Sequence, residues 1–267
     1  MNKFGKVVAI AAACAALTGS VAAFSACGDS ERIRVTGSSS VTPLMEVLAA
    51  EYEKTHDVRI EVSQSSSGAG VQDTQSGNND FGMASRPLTN DELKTGITGE
   101  TLCQDGIALI VGSDSTATNI TTDEVKALYT NGTAACGGAI TAAVGRDSGS
   151  GTRDFFDEHF ELSTYDSSVD TQAETGNVIQ VISGTDDTIG YISYGSLAGN
   201  DDIKAVSLDG VACTSANIES GDYALVRPFV IVLPEEELSE AAQGFYDYIM
   251  SEEAQSVIVA EGYISIN

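Results

Sequence analysis

The chain has 267 residues, with 39 acidic against 13 basic side chains and a formal net charge of −26. So acidic a surface argues against nucleic acid and anionic lipid headgroups as partners, because both repel it. Two histidines and no Cys-x-x-Cys pair argue against a zinc centre, and the length suffices for one large domain or two lobes of ordinary size.

The first residues read as an export signal. Lys3 and Lys6 supply a positive start, residues 7–16 are apolar, and Thr18, Gly19 and Ser20 break the run. That stretch is too short for a membrane span of about 20 residues. Phe24-Ser25-Ala26-Cys27 resembles the lipoprotein processing box, with Phe24 where leucine is usual. The expectation is a signal peptide over 1–26, a lipidated Cys27 and a tether over 27–31, which places the chain outside the cytoplasm on the cell membrane. Ordinary cleavage nearby, with Cys27 as a free thiol, is the alternative. Firm anchoring needs more than one acyl chain, such as palmitate, and bacterial lipoproteins supply it. Loss of 1–26 removes two lysines and no acid, so the remainder is more acidic still. Among Cys103, Cys136 and Cys213 an oxidising compartment allows one bridged pair, leaving one thiol, and the sequence does not give the pairing.

Strands and helices then alternate. Residues 33–36 predict a strand, 43–55 a helix and 58–62 a second strand. Leu44, Val47, Leu48 and Tyr52 recur at the spacing of one helical face. A Ser/Gly loop leads to a short helix at 71–76 and a strand at 81–84. Residues 104–111 form an apolar strand, and the Thr-Thr-Asp-Glu run ending at Glu124 caps a helix through Tyr129. A strand at 140–144 precedes a helix at 151–160 that carries Phe155, Phe156 and Phe160. Helix 178–183, strands 189–192 and 226–233, and helices 239–250 and 252–261 complete the chain. This alternation implies an α/β architecture with mainly parallel sheets.

One pattern occurs three times: a short strand, a Ser/Gly-rich turn, then a helix. The turns are Gly37-Ser38-Ser39-Ser40, Ser65-Ser66-Ser67-Gly68-Ala69-Gly70 and Gly149-Ser150-Gly151-Thr152. Such a turn leaves the first helical N–H groups free, points hydroxyls the same way and lets a ligand approach the backbone closely. The helix dipole adds partial positive charge, so each turn is a candidate cradle for an oxyanion. Pro43, just inside the first helix, loses no hydrogen bond there. Any one turn alone reads as an ordinary helix cap. Three together carry more weight, because ligands of α/β sheets sit at the carboxyl ends of strands. Local dipoles in a dry cleft outweigh distant acids, which salt screens within about 8–10 Å.

Two charged residues refine the ligand. Arg146, ahead of the third turn, offers a guanidinium to two oxygens; a surface ion pair is its alternative. Asp80 opens the run Phe81-Gly82-Met83-Ala84-Ser85-Arg86. A carboxylate in an oxyanion pocket repels unless the ligand brings a proton, as phosphate does near neutral pH and sulfate does not. Asp80 is therefore expected to accept that proton and to reject sulfate, the alternative being a strand-edge acid paired with Arg86. The enzyme alternative is a serine hydrolase, whose nucleophile elbow needs Gly-x-Ser-x-Gly. Ser148 holds the first position around Ser150, and His56 and His159 both fall in polar stretches. No Gly-x-x-x-x-Gly-Lys loop occurs.

Gly37-Ser38-Ser39-Ser40-Val41-Thr42-Pro43-Leu44, Asp80-Phe81-Gly82-Met83-Ala84-Ser85-Arg86 and Arg146-Asp147-Ser148-Gly149-Ser150-Gly151-Thr152-Arg153 closely resemble the phosphate-binding proteins of bacterial high-affinity phosphate importers. The resemblance covers nearly the whole chain after the signal, including Asp105-Gly106-Ile107-Ala108 at a first crossover and Ile189-Gly190-Tyr191-Ile192 in a second lobe. It implies a two-lobed α/β fold of the periplasmic-binding-protein type II, with two hinge crossover strands. Lobe one would take residues 32–107 and 228–267, and lobe two residues 108–227. Phosphate would be held by Ser39, Ser40, the Val41 amide and Ser67, with Ser66 as a substitute for Ser67. Asp80 would accept the ligand's proton, and Arg146, Ser150, Gly151 and Thr152 would complete the site. Ser40 stands where some members carry an aromatic residue, and Ser148 where some carry an acid. The resemblance further implies hinge closure on the ligand, with no catalytic residue, cofactor or metal. A monomer would deliver phosphate to the permease subunits of an ABC transporter driven by a cytoplasmic ATPase, touching the membrane through its lipid alone. Sulfate and molybdate are the alternative ligands.

Overall fold

A computed structural model describes residues 31–266. The expectations for the signal peptide at 1–26, for Cys27 and for the tether up to residue 30 lie outside the described residues. Chain order runs β1 (Glu31–Ser38), α1 (Thr42–Glu53), β2 (Val58–Ser65), α2 (Ser67–Gln75), β3 (Phe81–Ala84) and the long β4 (Ile97–Gly112). There follow β5 (Asn119–Ile120), α3 (Thr122–Asn131), β6 (Ala142–Arg146), α4 (Gly151–Phe160), β7 (Asp170–Gln172), α5 (Thr175–Ser183) and β8 (Thr188–Ser193). Then come β9 (Ile203–Ala205), β10 (Ser207–Leu208), α6 (Ser215–Glu219), β11 (Val226–Pro234), α7 (Glu240–Ile249) and α8 (Glu252–Ala260).

The main sheet runs in the order β2-β1-β3-β11-β4-β8-β6-β7, with β9 also on β4. β1 pairs in parallel with β2 and β3, and β6 does so with β7 and β8. β11 is antiparallel to β3 and β4, and β4 is antiparallel to β8. The parallel expectation therefore holds at each end of the sheet and fails in the middle, where β4 and β11 serve both ends.

Two hydrophobic cores flank that crossing. One gathers Ile33, Val35, Leu44, Phe81, Phe229 and Phe245, and the other Leu109, Tyr129, Phe156, Tyr191 and Leu225. β4 gives Leu102 and Cys103 to the first core and Ile107 to Val111 to the second, so the chain passes between them within four residues. Each buried aromatic or aliphatic side chain contributes about 1.5–3 kcal/mol.

Local signals explain the helices. Pro43 occupies the first turn of α1, which buries Leu44, Met45, Leu48, Ala49 and Tyr52 and leaves Val47 half-buried. α3 begins on a capping box between Thr121 and Glu124 and ends on Gly132 with φ 63°. α4 buries Phe156 and Phe160 but leaves Phe155 half-buried.

Cys103, Cys136 and Cys213 are free thiols, so the bridge that an oxidising compartment allows is not formed among them. Cys103 belongs to one core and Cys213 to the other, while Cys136 sits in a surface turn and donates its Sγ hydrogen to Asn119 O at 3.2 Å. No helix among the described residues is long and apolar enough to cross a membrane.

Candidate oxyanion site

β1 delivers the first turn. Gly37 has φ 140°, and a Cβ there would overlap Met83 O, so β1 and β3 approach this closely only through glycine. Beyond it the Ser40 amide donates to Ser38 Oγ at 3.2 Å and the Val41 amide to Ser38 O at 3.0 Å. The Val41 amide, expected as a ligand contact, thus donates inside the turn.

The second and third turns abut. Ser66 caps α2 by accepting from the Ala69 amide at 3.2 Å, which separates its role from that of Ser67. Ser67 Oγ accepts from the Ser85 amide at 3.1 Å and lies 3.3 Å from Ser85 Oγ. Ser150 caps α4 by accepting from the Arg153 amide at 3.4 Å. A Cβ on Gly151 would overlap Ser67 Oγ, and the Gly68 amide donates to Gly149 O at 3.1 Å.

Hydroxyls join the rest. Ser40 Oγ lies 2.9 Å from Thr152 Oγ1, and Ser39 Oγ lies 3.2 Å from Thr175 Oγ1. Thr175 opens α5, so the N-termini of α1, α2, α4 and α5 meet in one place and their dipoles add there. Ser39, Ser40, Ser67, Ser150, Gly151 and Thr152 are all brought together and buried.

Arg146 lies among them at 1 % exposure. Its Nη2 donates to Ser39 Oγ at 2.9 Å and to Ala173 O at 2.8 Å, Nε to Gln172 O at 3.1 Å, and Nη1 to Thr175 Oγ1 at 3.4 Å. These partners are all neutral, and the neighbouring Asp147 and Ser148 are exposed. Burial lowers the Arg146 pKa to about 10, which still leaves the guanidinium charged at neutral pH. A buried cation with only neutral partners is costly unless an anion joins it.

Asp80 is not part of this cluster, which corrects its expected role. The parallel register sets Phe81 beside Val35, so Asp80 sits at the amino end of β3 while the helices start at the carboxyl ends. Five residues of extended chain, about 16 Å, separate it from Ser85. Its Oδ2 accepts from the Arg34 amide at 2.7 Å. Nor does it pair with Arg86, which binds Glu92 and Asp154, each at 2.8 Å.

Four residues were missed as site components. Thr175 precedes a helix whose apolar pattern becomes visible only at Val178. Ser85 follows β3 in the run from Asp80 to Arg86, and nothing in its spacing singles it out. Arg227, 0 % exposed, donates through Nη1 to Thr152 Oγ1 at 2.7 Å and is paired with Asp105. A lone charge inside the apolar run of β11 was the available signal for that pair. The hydrolase alternative gains no support: His159 ends the helix that Ser150 begins, about 13 Å away at 1.5 Å per residue, and His56 stacks on Tyr52 beyond α1.

The family described as "PBP superfamily domain" matches residues 23–253. The phosphate-binding protein PstS of Staphylococcus epidermidis is 29 % identical over 86 % of this chain and 77 % of its own length. A crystal structure from Clostridium perfringens, described as a phosphate ABC transporter substrate-binding protein with bound phosphate, is 33 % identical. It covers 89 % of this chain and 100 % of its own, with a TM-score of 0.83. An ABC-type phosphate transport receptor from Vibrio cholerae is 28 % identical over 88 % of this chain and 100 % of its own, with a TM-score of 0.72. Helix N-termini gathered at the carboxyl ends of two parallel strand sets, a crossing pair of long strands and these likenesses agree: the chain belongs to the PBP superfamily.

Proposed function

We propose that this chain captures inorganic phosphate outside the cytoplasm and passes it to an ABC importer. The observation that carries the reading is Arg146, a buried guanidinium with neutral partners at the meeting of four helix N-termini. Phosphate in particular is supported by the relatives, whose names and bound ligand are phosphate. Ser39, Ser40, Ser67, Arg146, Ser150, Gly151 and Thr152 hold the anion, with Ser85 and Thr175 added and Asp80 and the Val41 amide set aside.

Lobe one takes residues 32–107 and 228–267, lobe two residues 108–227, and the cleft closes by bending at β4 and β11. Ser39, Ser40 and Ser67 approach from one side, Arg146, Thr152 and Thr175 from the other, so one ligand holds both. The protein performs no chemical step. It acts as a monomer, anchored by lipid on Cys27, and hands its cargo to permease subunits energised by a cytoplasmic ATPase.

Calorimetric titration of the chain with phosphate, sulfate and molybdate tests this. One phosphate per chain, bound more tightly than the other two anions, is expected. Preference for sulfate or molybdate would overturn the phosphate reading, and saturable hydrolysis of an ester would overturn the binding-protein reading.

A further inference from the structure

We propose that Arg227, held by Asp105, is a positioning residue of the anion site, fixing the Thr152 hydroxyl as a hydrogen-bond donor toward a bound oxyanion. It rests on the reading above only in that the ligand is an oxyanion.

Arg227 on β11 stands directly opposite Asp105 on β4. Its Nε and Nη2 both reach Asp105 Oδ2, at 3.2 and 3.0 Å, and Ser193 Oγ donates to the other carboxylate oxygen at 2.8 Å. The carboxylate is held from both sides, and that fixes the plane of the guanidinium. Only Nη1 is left over, and it spans the two flanks of the cleft: Ser85 O at 3.1 Å on one and Thr152 Oγ1 at 2.7 Å on the other.

A guanidinium has donors and no acceptor. Thr152 Oγ1 therefore accepts from Arg227, and its own hydrogen must point onward, to Ser40 Oγ 2.9 Å away or to a ligand. Arg146 does the same to Ser39 Oγ. Each hydroxyl chain thus begins on a cation and ends with a hydrogen offered to whatever lies between, which favours ligand oxygens without protons. A pair serving only to brace the crossing strands needs the Asp105 contact alone; the short bond to Thr152 adds nothing to that task.

The test is a double-mutant cycle on the full chain in detergent, read by calorimetric titration with inorganic phosphate. Arg227→Met combined with Asp105→Asn removes both buried charges together, which avoids leaving one unpaired. This paired variant is expected to bind phosphate about tenfold or more weakly, the loss of one charge-assisted bond. Thr152→Val should then cost clearly less in the paired variant than in the native chain. Native affinity should rise as phosphate passes from monoanion to dianion, and this rise should shrink in the paired variant, where Thr152 is free to accept a ligand proton. Should the paired variant not fold, Arg227→Lys, which keeps the charge but lacks the planar fork, carries the same cycle. Phosphate affinity within about twofold of native would overturn the proposal. So would equal Thr152→Val costs in both backgrounds, or an unchanged pH profile. A native chain that prefers sulfate or molybdate sinks the phosphate reading alone, and the cycle is then read with that anion. A native chain that binds none of the three sinks both.

Discussion

Arg86 and Asp154 meet across the cleft, with the guanidinium Nε 2.8 Å from the carboxylate Oδ2. Glu92, from the same side as Arg86, occupies Nη1 and Nη2 at 2.9 and 2.8 Å, so the arginine is already aimed before Asp154 arrives. Asp154 lies in the first turn of α4, beside the residues proposed to hold the anion. On the proposed reading the pair ties the two sides together next to the anion site, through residues that are not among those holding the anion.

Asp154→Asn should speed phosphate release with little change in the rate of capture. A part-exposed pair of this kind contributes about 1 kcal/mol or less, so the expected loss of affinity is up to about fivefold. Stopped-flow dissociation at low and high salt checks it, the difference from native narrowing as salt rises.

Arg146→Met should abolish measurable phosphate binding, a loss of at least about a hundredfold, because it removes a buried cation whose partners are all neutral. Relief of a buried charge offsets the carbonyl groups left unpaired, so stability should shift by no more than about 2 kcal/mol. Calorimetry and denaturant unfolding of the same sample separate the two effects.

Asp80→Asn should leave phosphate affinity within about twofold of native, since the carboxylate holds the Arg34 amide at the far end of β3. Its cost falls on stability, at about 1 kcal/mol. Titration with phosphate and sulfate on the variant decides this, a changed ratio between the anions being the contrary result.

Glu124 supplies a pH test of the fold. Hydrogen bonds from the Thr121 amide, then from the Thr121 hydroxyl and the Cys136 amide, hold its carboxyl below the usual range against the opposing effect of burial. A depressed folded pKa gives stability that is complete above the unfolded value of about 4.3 and is lost as pH falls through the folded one. Glu124→Ala should therefore melt below native at neutral pH, and the gap should close below about pH 4.

Much of the architecture was legible because its signals are local. Pro43, the Thr121 capping box and the phenylalanines of α4 each declare a helix within a few residues. The three Ser/Gly turns also declared a site, because glycine and hydroxyls before a helix have few other uses in such number. Asp80 was misread because a motif fixes spacing along the chain but not which end of a strand faces the ligand. That depends on the pairing of β3 with β1, a contact between residues 46 apart. Thr175, Asp105 and Arg227 escaped for the same reason: each gains its meaning from partners brought together only by the crossing of β4 and β11.

The main-chain bond from Gly68 to Gly149 bears on the order of events during uptake. Parting the two turns breaks that bond and exposes a bare amide at the start of α2, beside hydroxyls no longer tied to their opposite numbers. An arriving anion would then meet more vacant donors in the parted protein than the shut one presents. Capture would come first, on amides and dipoles, and commitment second, as the turns rejoin and both guanidiniums come to bear. Because this one bond is made by main chain alone, it survives substitution of the serines, whose hydroxyls supply the remaining contacts between the two sides.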